Sequence, residues 1–285
     1  LDLRGAAHDE AMRGRECDEA CADPETRRCA IIDPVLDFDA NSGATATWSA
    51  DALLDHVQKE DYTLEWILDT HPHADHFSAA AYLRNMTGIP TAIGEKVVEV
   101  QKLWQELYNL PEAFLTDGSQ WDRLFADGER FRIGDCDVQV MFTPGHTLAS
   151  VAYVIGDAAF VHDTLFMPDF GTARTDFPGG DAGALWRSIQ RILALPDQTR
   201  LFTGHDYRPG DRDPAWESTV ALQTAENIHL QEAKTENEFI AMRQRRDKEL
   251  PMPKLILHAL QVNIRGGRLP EPEDNGRRYL KIPLG

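Results

Sequence analysis

The sequence predicts an α/β protein, and two features of the chain indicate this. Short apolar segments typical of buried strands, such as Leu64–Leu68, alternate along the chain with segments of helical spacing, such as Glu95–Tyr108. Strands and helices in mixed order throughout a chain are typical of α/β folds. In addition, several predicted strands end at a residue that is able to bind a metal ion. The chain is therefore expected to carry a site at the ends of its strands.

The strands are expected where apolar runs are bounded by turn residues. The clearest turns are Gly134-Asp135 and Gly156-Asp157, and the second of these predicts a hairpin. In chain order the predicted strands are Cys29–Val35, Leu64–Leu68, Thr91–Gly94, Arg130–Ile133, Val138–Phe142, Ser150–Ile155, Ala158–Val161 and Arg200–Thr203.

The helices are expected where apolar residues recur at helical spacing near capping residues. Ser49 or Asp51 is predicted to cap a helix through Leu53, Leu54 and Val57, and Asp181 a helix through Leu193. A helix is also expected to begin at Ala79–Leu83 and to end at Gly88. Ala215–Glu249 is predicted to be a long polar helix or helix pair, with Arg243, Arg245 and Arg246 on its solvated face.

Length and charge limit the functional classes. The chain of 285 residues has a formal net charge of −18, which disfavours a nucleic-acid surface because phosphate binding needs clustered Lys and Arg. It contains no apolar run of membrane-spanning length, and residues 1–10 lack the apolar core of a signal peptide. We therefore expect no nucleic-acid or membrane partner, and a cytoplasmic location.

The N-terminal segment is difficult to interpret. Residues 1 to about 28 are dense in charge and weak in periodicity, so a loose or helical segment is expected there. Cys17 and Cys21 could then lie on one helical face. With Cys29 and Cys136 they are too few for a disulfide scaffold, and free thiols are the favoured interpretation.

The segment Thr70–His76 reads Thr-His-Pro-His-Ala-Asp-His and is the densest group of metal-capable side chains in the chain. It lies on a predicted loop between a strand and a helix. Residues two apart in an extended loop point the same way, so His71 and His73 can share one ion, while Asp75 and His76 can face a second position. Imidazole and carboxylate together favour zinc or iron over calcium or magnesium. A polar loop that merely happens to be rich in histidine is the less favoured alternative.

Three further candidates follow later strands. His146 lies in a Pro-Gly turn, Asp163 follows the predicted hairpin, and His205 follows Arg200–Thr203. The remaining histidines stand alone in the sequence, and each is expected to be a surface residue or a core residue with satisfied hydrogen bonds: His8, His56, His229 and His258.

Together these residues resemble the five-motif pattern of the metallo-β-lactamase superfamily, over about residues 29–210. The resemblance implies an αβ/βα four-layer sandwich. We expect a single domain over 1–285, with its core at about 29–210 and a C-terminal helical extension at 211–285. In that pattern His71, His73 and His146 would form one metal position. Asp75, His76 and His205 would form the second, with Asp163 bridging the two.

The segment from Gly171 to Phe177 (Gly-Thr-Ala-Arg-Thr-Asp-Phe) is similar to a loop of the persulfide dioxygenase branch, as is Gly204–Tyr207. This narrower resemblance implies one iron(II) per chain, bound by His71, His146 and Asp163, and oxidation of glutathione persulfide with O2 to sulfite in sulfide detoxification. His73, Asp75, His76 and His205 would then orient ligands and substrate. An Arg174–Asp176 ion pair would brace the site or form an ordinary loop salt bridge.

The main alternative is a hydrolase of thioesters or lactones with one or two zinc ions, similar to glyoxalase II, because all seven ligands of a dinuclear site are present. β-Lactam hydrolysis and a non-catalytic binding protein are less favoured. One departure from the pattern is His162, which stands where the family usually has glycine before the bridging aspartate. A homodimer is a further expectation, with Leu255 near its interface or over the active site.

Overall fold

The structure is a computed structural model, and it describes residues 2–5 and 19–284. The strands are β1 (Asp2–Gly5), β2 (Glu19–Ala22), β3 (Arg28–Ile32), β4 (Val35–Asp39), β5 (Ala44–Ala46), β6 (Thr63–Leu68), β7 (Phe77–Ser78), β8 (Thr91–Gly94), β9 (Arg123–Phe125), β10 (Arg130–Ile133), β11 (Cys136–Phe142), β12 (Val151–Ile155), β13 (Ala158–Phe160), β14 (Arg200–Phe202) and β15 (Glu217–Thr219). The helices are α1 (Trp48–Lys59), α2 (Ala80–Thr87), α3 (Val97–Leu107), α4 (Ala182–Leu193), α5 (Val220–Glu226), α6 (Ile228–Glu232), α7 (Glu236–Asp247) and α8 (Ile256–Asn263). Within the described ranges no helix is both long and apolar enough to cross a membrane.

The described residues form two compact units. We call residues 2–5, 19–125 and 251–284 the N-terminal unit, and Ala126–Leu250 the central unit. The sequence-predicted extension at 211–285 is therefore divided, with its first part in the central unit and its last part in the N-terminal unit. That residues 1–285 form a single domain stays a prediction.

The N-terminal unit is built on a six-stranded sheet with strand order β1-β2-β3-β6-β8-β9. Strands β3, β6, β8 and β9 are parallel, and β1 and β2 add an antiparallel edge. A small sheet of order β5-β4-β7 lies in the same unit. Leu53 of α1, Leu83 of α2 and Val262 of α8 share a core with Ile31 and Ile67 of the large sheet. Helix α8 is therefore part of the core of this unit.

The central unit contains the second six-stranded sheet, ordered β10 to β15 in sequence. Its pairs are antiparallel except β13 and β14, which are joined through α4. Leu185 of α4, Val220 of α5 and Phe239 of α7 pack with Ala152 and Leu201 of the sheet. The hairpin predicted at Gly156-Asp157 is confirmed, and Asp181 caps α4 by accepting from the Ala184 N–H.

The N-terminal segment differs from the expectation. Instead of a loose or helical segment, Glu19–Ala22 forms β2 and pairs with β3. A four-residue strand leaves almost no periodicity to detect, and pairing with a buried neighbour decides its conformation. Cys21 is therefore a buried strand residue, whereas Cys17 and His8 lie outside the described residues. Among the described residues, Cys21, Cys29 and Cys136 form no disulfide bond with one another.

Two helix predictions are also wrong in part. Helix α1 begins at Trp48, with Thr47 at its N-cap, and neither Ser49 nor Asp51 caps it. The segment 215–249 is not one helix or a pair, because it contains β15, α5, α6 and α7. The breaks lie where Asn227 and Thr235 cap the next helix with their side chains. The Thr235–Glu238 capping box is a signal that the sequence did contain.

Arg243 is the clearest exception to the predicted solvated face. Its side chain is 1% exposed and pairs with Asp247 one helical turn later, and its Nη1 donates to the Thr172 carbonyl at 3.2 Å. Arg245, two residues away, is exposed and pairs with exposed Glu232. A helical polar pattern gives no sign of this difference, because burial of a charge depends on the loop that packs over it.

Arg243→Met should therefore destabilise the protein much more than Arg245→Met. The first change leaves Asp247 buried without its cation, which typically costs about 3–5 kcal/mol. The second removes only a surface pair, which is worth about 1 kcal/mol or less. Urea unfolding of both variants measures the difference. Equal losses of stability would contradict the burial of Arg243.

Candidate functional site

The histidine-rich segment lies on an irregular connection that follows β6, as predicted, but the short strand β7 comes between this segment and α2. Asp33 is a hydrogen-bonding partner of this segment. It follows β3 in a left-handed conformation with φ of 48°. The Thr70 N–H and hydroxyl donate to the two Asp33 carboxylate oxygens at 2.6 and 2.5 Å. The Thr70 Oγ1 also lies 3.0 Å from His71 Nδ1. Because the hydroxyl proton goes to the carboxylate, Oγ1 accepts from Nδ1–H, and the lone pair of His71 is on Nε2, where a metal can bind.

The other residues of the loop lie beside His71. The ring centroid of His73 is 4.0 Å from that of His71 and 4.2 Å from that of His76, and all three rings are buried. His76 Nδ1 lies 3.3 Å from Asp75 Oδ2. Potential ligand atoms of His73, Asp75 and His76 lie within 4.8 Å of one another, as do those of Asp33, His71 and His73. The structure thus brings the four loop residues together.

Burial keeps His73 in the form that binds metal ions. Its pKa is lowered mainly by burial, and the neighbouring His76 adds to this, although Asp33 Oδ1 at 3.0 Å from Nε2 acts in the opposite direction. A neutral imidazole has a lone pair for a metal ion, whereas an imidazolium has none. The donor set of this loop therefore fits a zinc or iron ion.

Asp33 and Asp69 are the residues of this cluster that sequence reasoning missed. Both are buried acids at the ends of parallel strands, Asp33 after β3 and Asp69 after β6. Asp69 accepts from Ser78 Oγ at 2.9 Å and from Trp121 Nε1 at 2.8 Å. Burial and the nearby Asp33 raise the pKa of Asp69 to about 7. The available signal was an aspartate directly after each apolar run, the same pattern that indicated Asp163.

The central unit holds the other three candidates together. His146 Nε2 lies 3.6 Å from Asp163 Oδ2, and His205 Nε2 lies 3.3 Å from Asp163 Oδ1, with all three side chains buried. Two ligand atoms at ~2.1 Å from one ion in tetrahedral geometry lie about 3.4 Å apart. His146 Nδ1 is 2.9 Å from the Arg174 carbonyl, which can only accept, so Nδ1 carries the proton and Nε2 the lone pair. These separations fit metal ligands.

The Arg174 carbonyl belongs to the loop at 171–177. Arg174 Nε and Nη2 each donate to a different oxygen of Asp176 at 2.7 Å, so the predicted ion pair is present. Burial of Asp176 raises its pKa, but the hydrogen bonds and charge of Arg174 outweigh this and lower it. The Arg174 guanidinium also lies 4.8 Å above the Phe177 ring, which contacts His146 edge-on at 5.1 Å. The pair therefore shapes the loop that orients His146.

Side chains of α6 and α7 form hydrogen bonds with this loop. The Thr172 N–H donates to His229 Nδ1 at 2.9 Å, and Asp247 accepts from the N–H and hydroxyl of Thr175 at 2.9 and 3.1 Å. His229 is thus a buried residue of the core, which is one of the two environments expected for it. Arg243 pairs with Asp247 and completes the contact with Thr172. A buried polar network fixes the backbone on both sides of Arg174.

His162, which departs from the family pattern, is buried and has a φ of 33°. Its ring occupies the space beside Gly204. A Cβ at position 204 would lie 2.6 Å from His162 Nδ1, too close for any real side chain. The absence of a side chain at 204, directly before His205, is therefore what accommodates the histidine directly before Asp163.

A family model described as the metallo-beta-lactamase superfamily matches residues 25–205. The chain belongs to this superfamily. A structure of ETHE1 from Myxococcus xanthus is 29% identical and matches with a TM-score of 0.72, covering 94% of this chain and 100% of that one. Together these comparisons confirm the predicted fold class. The superfamily and the buried His and Asp clusters also indicate a metal cofactor.

Two curated relatives of the superfamily extend the comparison. A beta-lactamase hydrolase-like protein from Xylella fastidiosa is 69% identical over 262 residues, which are 92% of this chain and 60% of that protein. The chain therefore spans less than two thirds of that relative's length. Glyoxylase B2 from Dictyostelium discoideum is 49% identical over 264 residues, covering 92% of this chain and 90% of the relative.

Thr70→Val should weaken metal binding by about 10–100-fold, the usual effect of losing a side chain that orients a ligand. Valine keeps the shape of threonine but removes the hydroxyl that joins Asp33 to His71. Thr70→Ser keeps the hydroxyl and is the matched control. Competition for Zn²⁺ with a chromophoric chelator measures both affinities. Equal affinity of the valine and serine variants would show that the hydroxyl does not orient His71.

Wild-type stability should fall as the pH falls below 6.5, in part because of His229. Burial, with Arg243 and Arg246, lowers the pKa of His229 to about 3. Between pH 6.5 and 3 the unfolded chain binds the proton and the folded chain does not, so this contribution is complete above pH 6.5 and shrinks with acidification. Its share between pH 6.5 and 5 is about 2 kcal/mol at most.

The variant His229→Asn isolates that contribution. Its amide oxygen can accept from the Thr172 N–H but does not titrate. Urea unfolding at pH 7 and pH 5 should show a smaller loss of stability for the variant than for the wild type. An identical loss in both proteins would mean that His229 is protonated in the folded state.

Proposed function

We propose that this protein is an iron(II)-dependent persulfide dioxygenase that oxidises glutathione persulfide with O2. In this proposal His71, His146 and Asp163 bind one iron ion per chain, and His73, Asp75, His76 and His205 orient ligands and substrate. The observation that carries the proposal is the similarity to the Myxococcus ETHE1 structure over nearly the whole of both chains. The loop at 171–177 supports it, since that loop resembles the persulfide dioxygenase branch and contacts His146.

The reaction balances with water as a co-reactant. One persulfide GSSH, one O2 and one water give one thiol GSH, one sulfite and two protons. The S–S bond breaks, the terminal sulfur is oxidised, and O2 is the four-electron acceptor. Bound iron(II) with two imidazoles and one carboxylate would supply open positions at which O2 and a sulfur anion meet.

The protein's own groups have separate parts in this proposal. Thr70 and the Arg174 carbonyl hold the Nδ1 protons of His71 and His146, so that each ring presents Nε2. The Arg174–Asp176 pair keeps that carbonyl in place and sits at the partly exposed edge of the loop. Two neutral imidazoles and one carboxylate would leave a bound iron(II) with a net positive charge, which would attract a persulfide anion.

A dinuclear zinc hydrolase of thioesters is the second candidate. It is favoured by the relative named Glyoxylase B2 and by the presence of every potential ligand of a two-metal site. In that case His71, His73 and His146 would bind one zinc ion, Asp75, His76 and His205 the other, and Asp163 both. Zinc ions held there would supply a water molecule of lowered pKa as the nucleophile for a thioester carbonyl.

Partners and location belong to the same proposal. We propose a small thiol persulfide and O2 as the molecules that the protein binds, a role in sulfide detoxification, a cytoplasmic location, and a homodimer as the assembly. No nucleic-acid or membrane partner is proposed, in keeping with the net charge of −18.

Oxygen uptake with glutathione persulfide, with sulfite assayed in the same sample, tests the function. The iron-loaded wild type should form one sulfite per O2 consumed, and His71→Ala and Asp163→Ala should each lose at least about 100-fold in rate through loss of an iron ligand. His56→Ala, at a partly exposed residue of α1, is the control and should keep its activity. Bound iron without oxygen uptake would contradict the proposal, and thioester turnover with two bound zinc ions would establish the alternative.

A further inference from the structure

Asn263, at the end of α8, hydrogen-bonds to the loop that carries the histidine cluster. Its Nδ2 donates to the carbonyls of His73 and His76, each at 2.8 Å. Its Oδ1 accepts from the Ser78 N–H at 2.7 Å. The residue is 2% exposed. Three of the four hydrogen bonds that an asparagine amide can make are thus directed at one short segment, which contains three potential ligands.

The position of Asn263 is fixed by its surroundings. Ala259 and Val262 of the same helix belong to the core that also contains Phe77 and Ala79, which follow the loop in sequence. Gly267 in the turn after α8 packs on the same segment, because a Cβ there would lie 2.4 Å from the Ser78 carbonyl oxygen. The helix is therefore anchored against the loop at several points, and the amide cannot move away from it freely.

The loop needs such a partner because it has no regular secondary structure. Carbonyl groups in strands and helices find donors within their own element, whereas buried carbonyls of an irregular loop must find them elsewhere. The direction of each peptide plane sets the direction of the adjacent Cα–Cβ bond. Hydrogen bonds that fix the carbonyls of His73 and His76 therefore also fix the directions in which the two imidazole side chains point.

We propose that Asn263 is a positioning residue for the metal-binding loop. It holds the peptide groups of His73 and His76 so that their rings are preorganised for the ion. Asn263 lies outside residues 25–205, the part matched by the family model, so this role belongs to the C-terminal segment of the chain. The inference rests on the proposed function only in taking the loop as metal-binding, and it holds for either iron or zinc chemistry.

Asn263→Asp is the direct test, with Co²⁺ as the probe metal in the chain of 285 residues. Aspartate has the same shape and can still accept from Ser78, but it places a carboxylate oxygen against two carbonyl oxygens. We expect Co²⁺ affinity to fall about 10–100-fold. We also expect a changed visible absorption spectrum of bound Co²⁺, which a purely structural role far from the ligands would not produce.

Gln261→Glu is the matched control on the same helix. Gln261 makes the same kind of amide contacts, but with the Leu257 and Lys281 backbone and not with the histidine loop. Its Co²⁺ affinity and spectrum should match the wild type. Asn263→Ala removes both donors without adding charge, and should give a loss in the same direction if the aspartate variant fails to fold.

Each outcome decides one claim. Wild-type affinity and spectrum in folded Asn263→Asp or Asn263→Ala would overturn the positioning role. Weaker Co²⁺ binding in Gln261→Glu, equal to that of the Asn263 variants, would also overturn it, because the effect would then belong to the helix as a whole. Loss of Co²⁺ binding in the Asn263 variants, together with a wild type that oxidises no persulfide, would support the positioning role and remove only the proposed function.

Discussion

The burial of imidazole and carboxylate groups is the constraint on which both clusters depend. Polar groups removed from water are costly unless hydrogen bonds or a metal ion compensate them. In the N-terminal unit the compensation begins at Asp33, whose two oxygens accept from Thr70, and Thr70 in turn fixes His71. In the central unit it begins at the Arg174 carbonyl, which fixes His146. In both units a backbone or hydroxyl oxygen sets the tautomer, and the tautomer leaves Nε2 for the ion.

Each cluster is supported by residues that follow the segment matched by the family model. Asn263 holds the His73 and His76 peptides in the N-terminal unit, and Asp247 holds Thr175 in the central unit. Such supporting contacts are what keeps a site rigid enough to select a geometry. Residues after position 205 therefore support both clusters through hydrogen bonds. The buried ion pair Arg243–Asp247 lies in this otherwise polar region because Asp247 is one of these supporting residues.

The strands and the clusters of His and Asp side chains were the predictable part of the molecule. Apolar runs of four to six residues with turn residues on either side identify β6, β8 and β12, and the density of His and Asp identifies the loop after β6. Asp33 and Asn263 could not be found in the same way. Asp33 contacts the loop because β3 pairs in parallel with β6, and these two strands are distant in sequence. Asn263 donates to His76, which lies 187 positions earlier in the chain. The same holds for Arg243, whose burial depends on a loop 71 residues earlier.

Iron titration followed by oxygen uptake tests whether one iron(II) ion per chain supports persulfide oxidation. Metal-free protein would receive increasing Fe²⁺ under anaerobic conditions, and the rate of oxygen consumption with glutathione persulfide would then be measured at each ratio. We expect a rate that rises linearly and reaches its plateau at one iron per chain. A plateau only at two metal ions per chain, or no uptake at any ratio while two zinc ions support thioester hydrolysis, would contradict it.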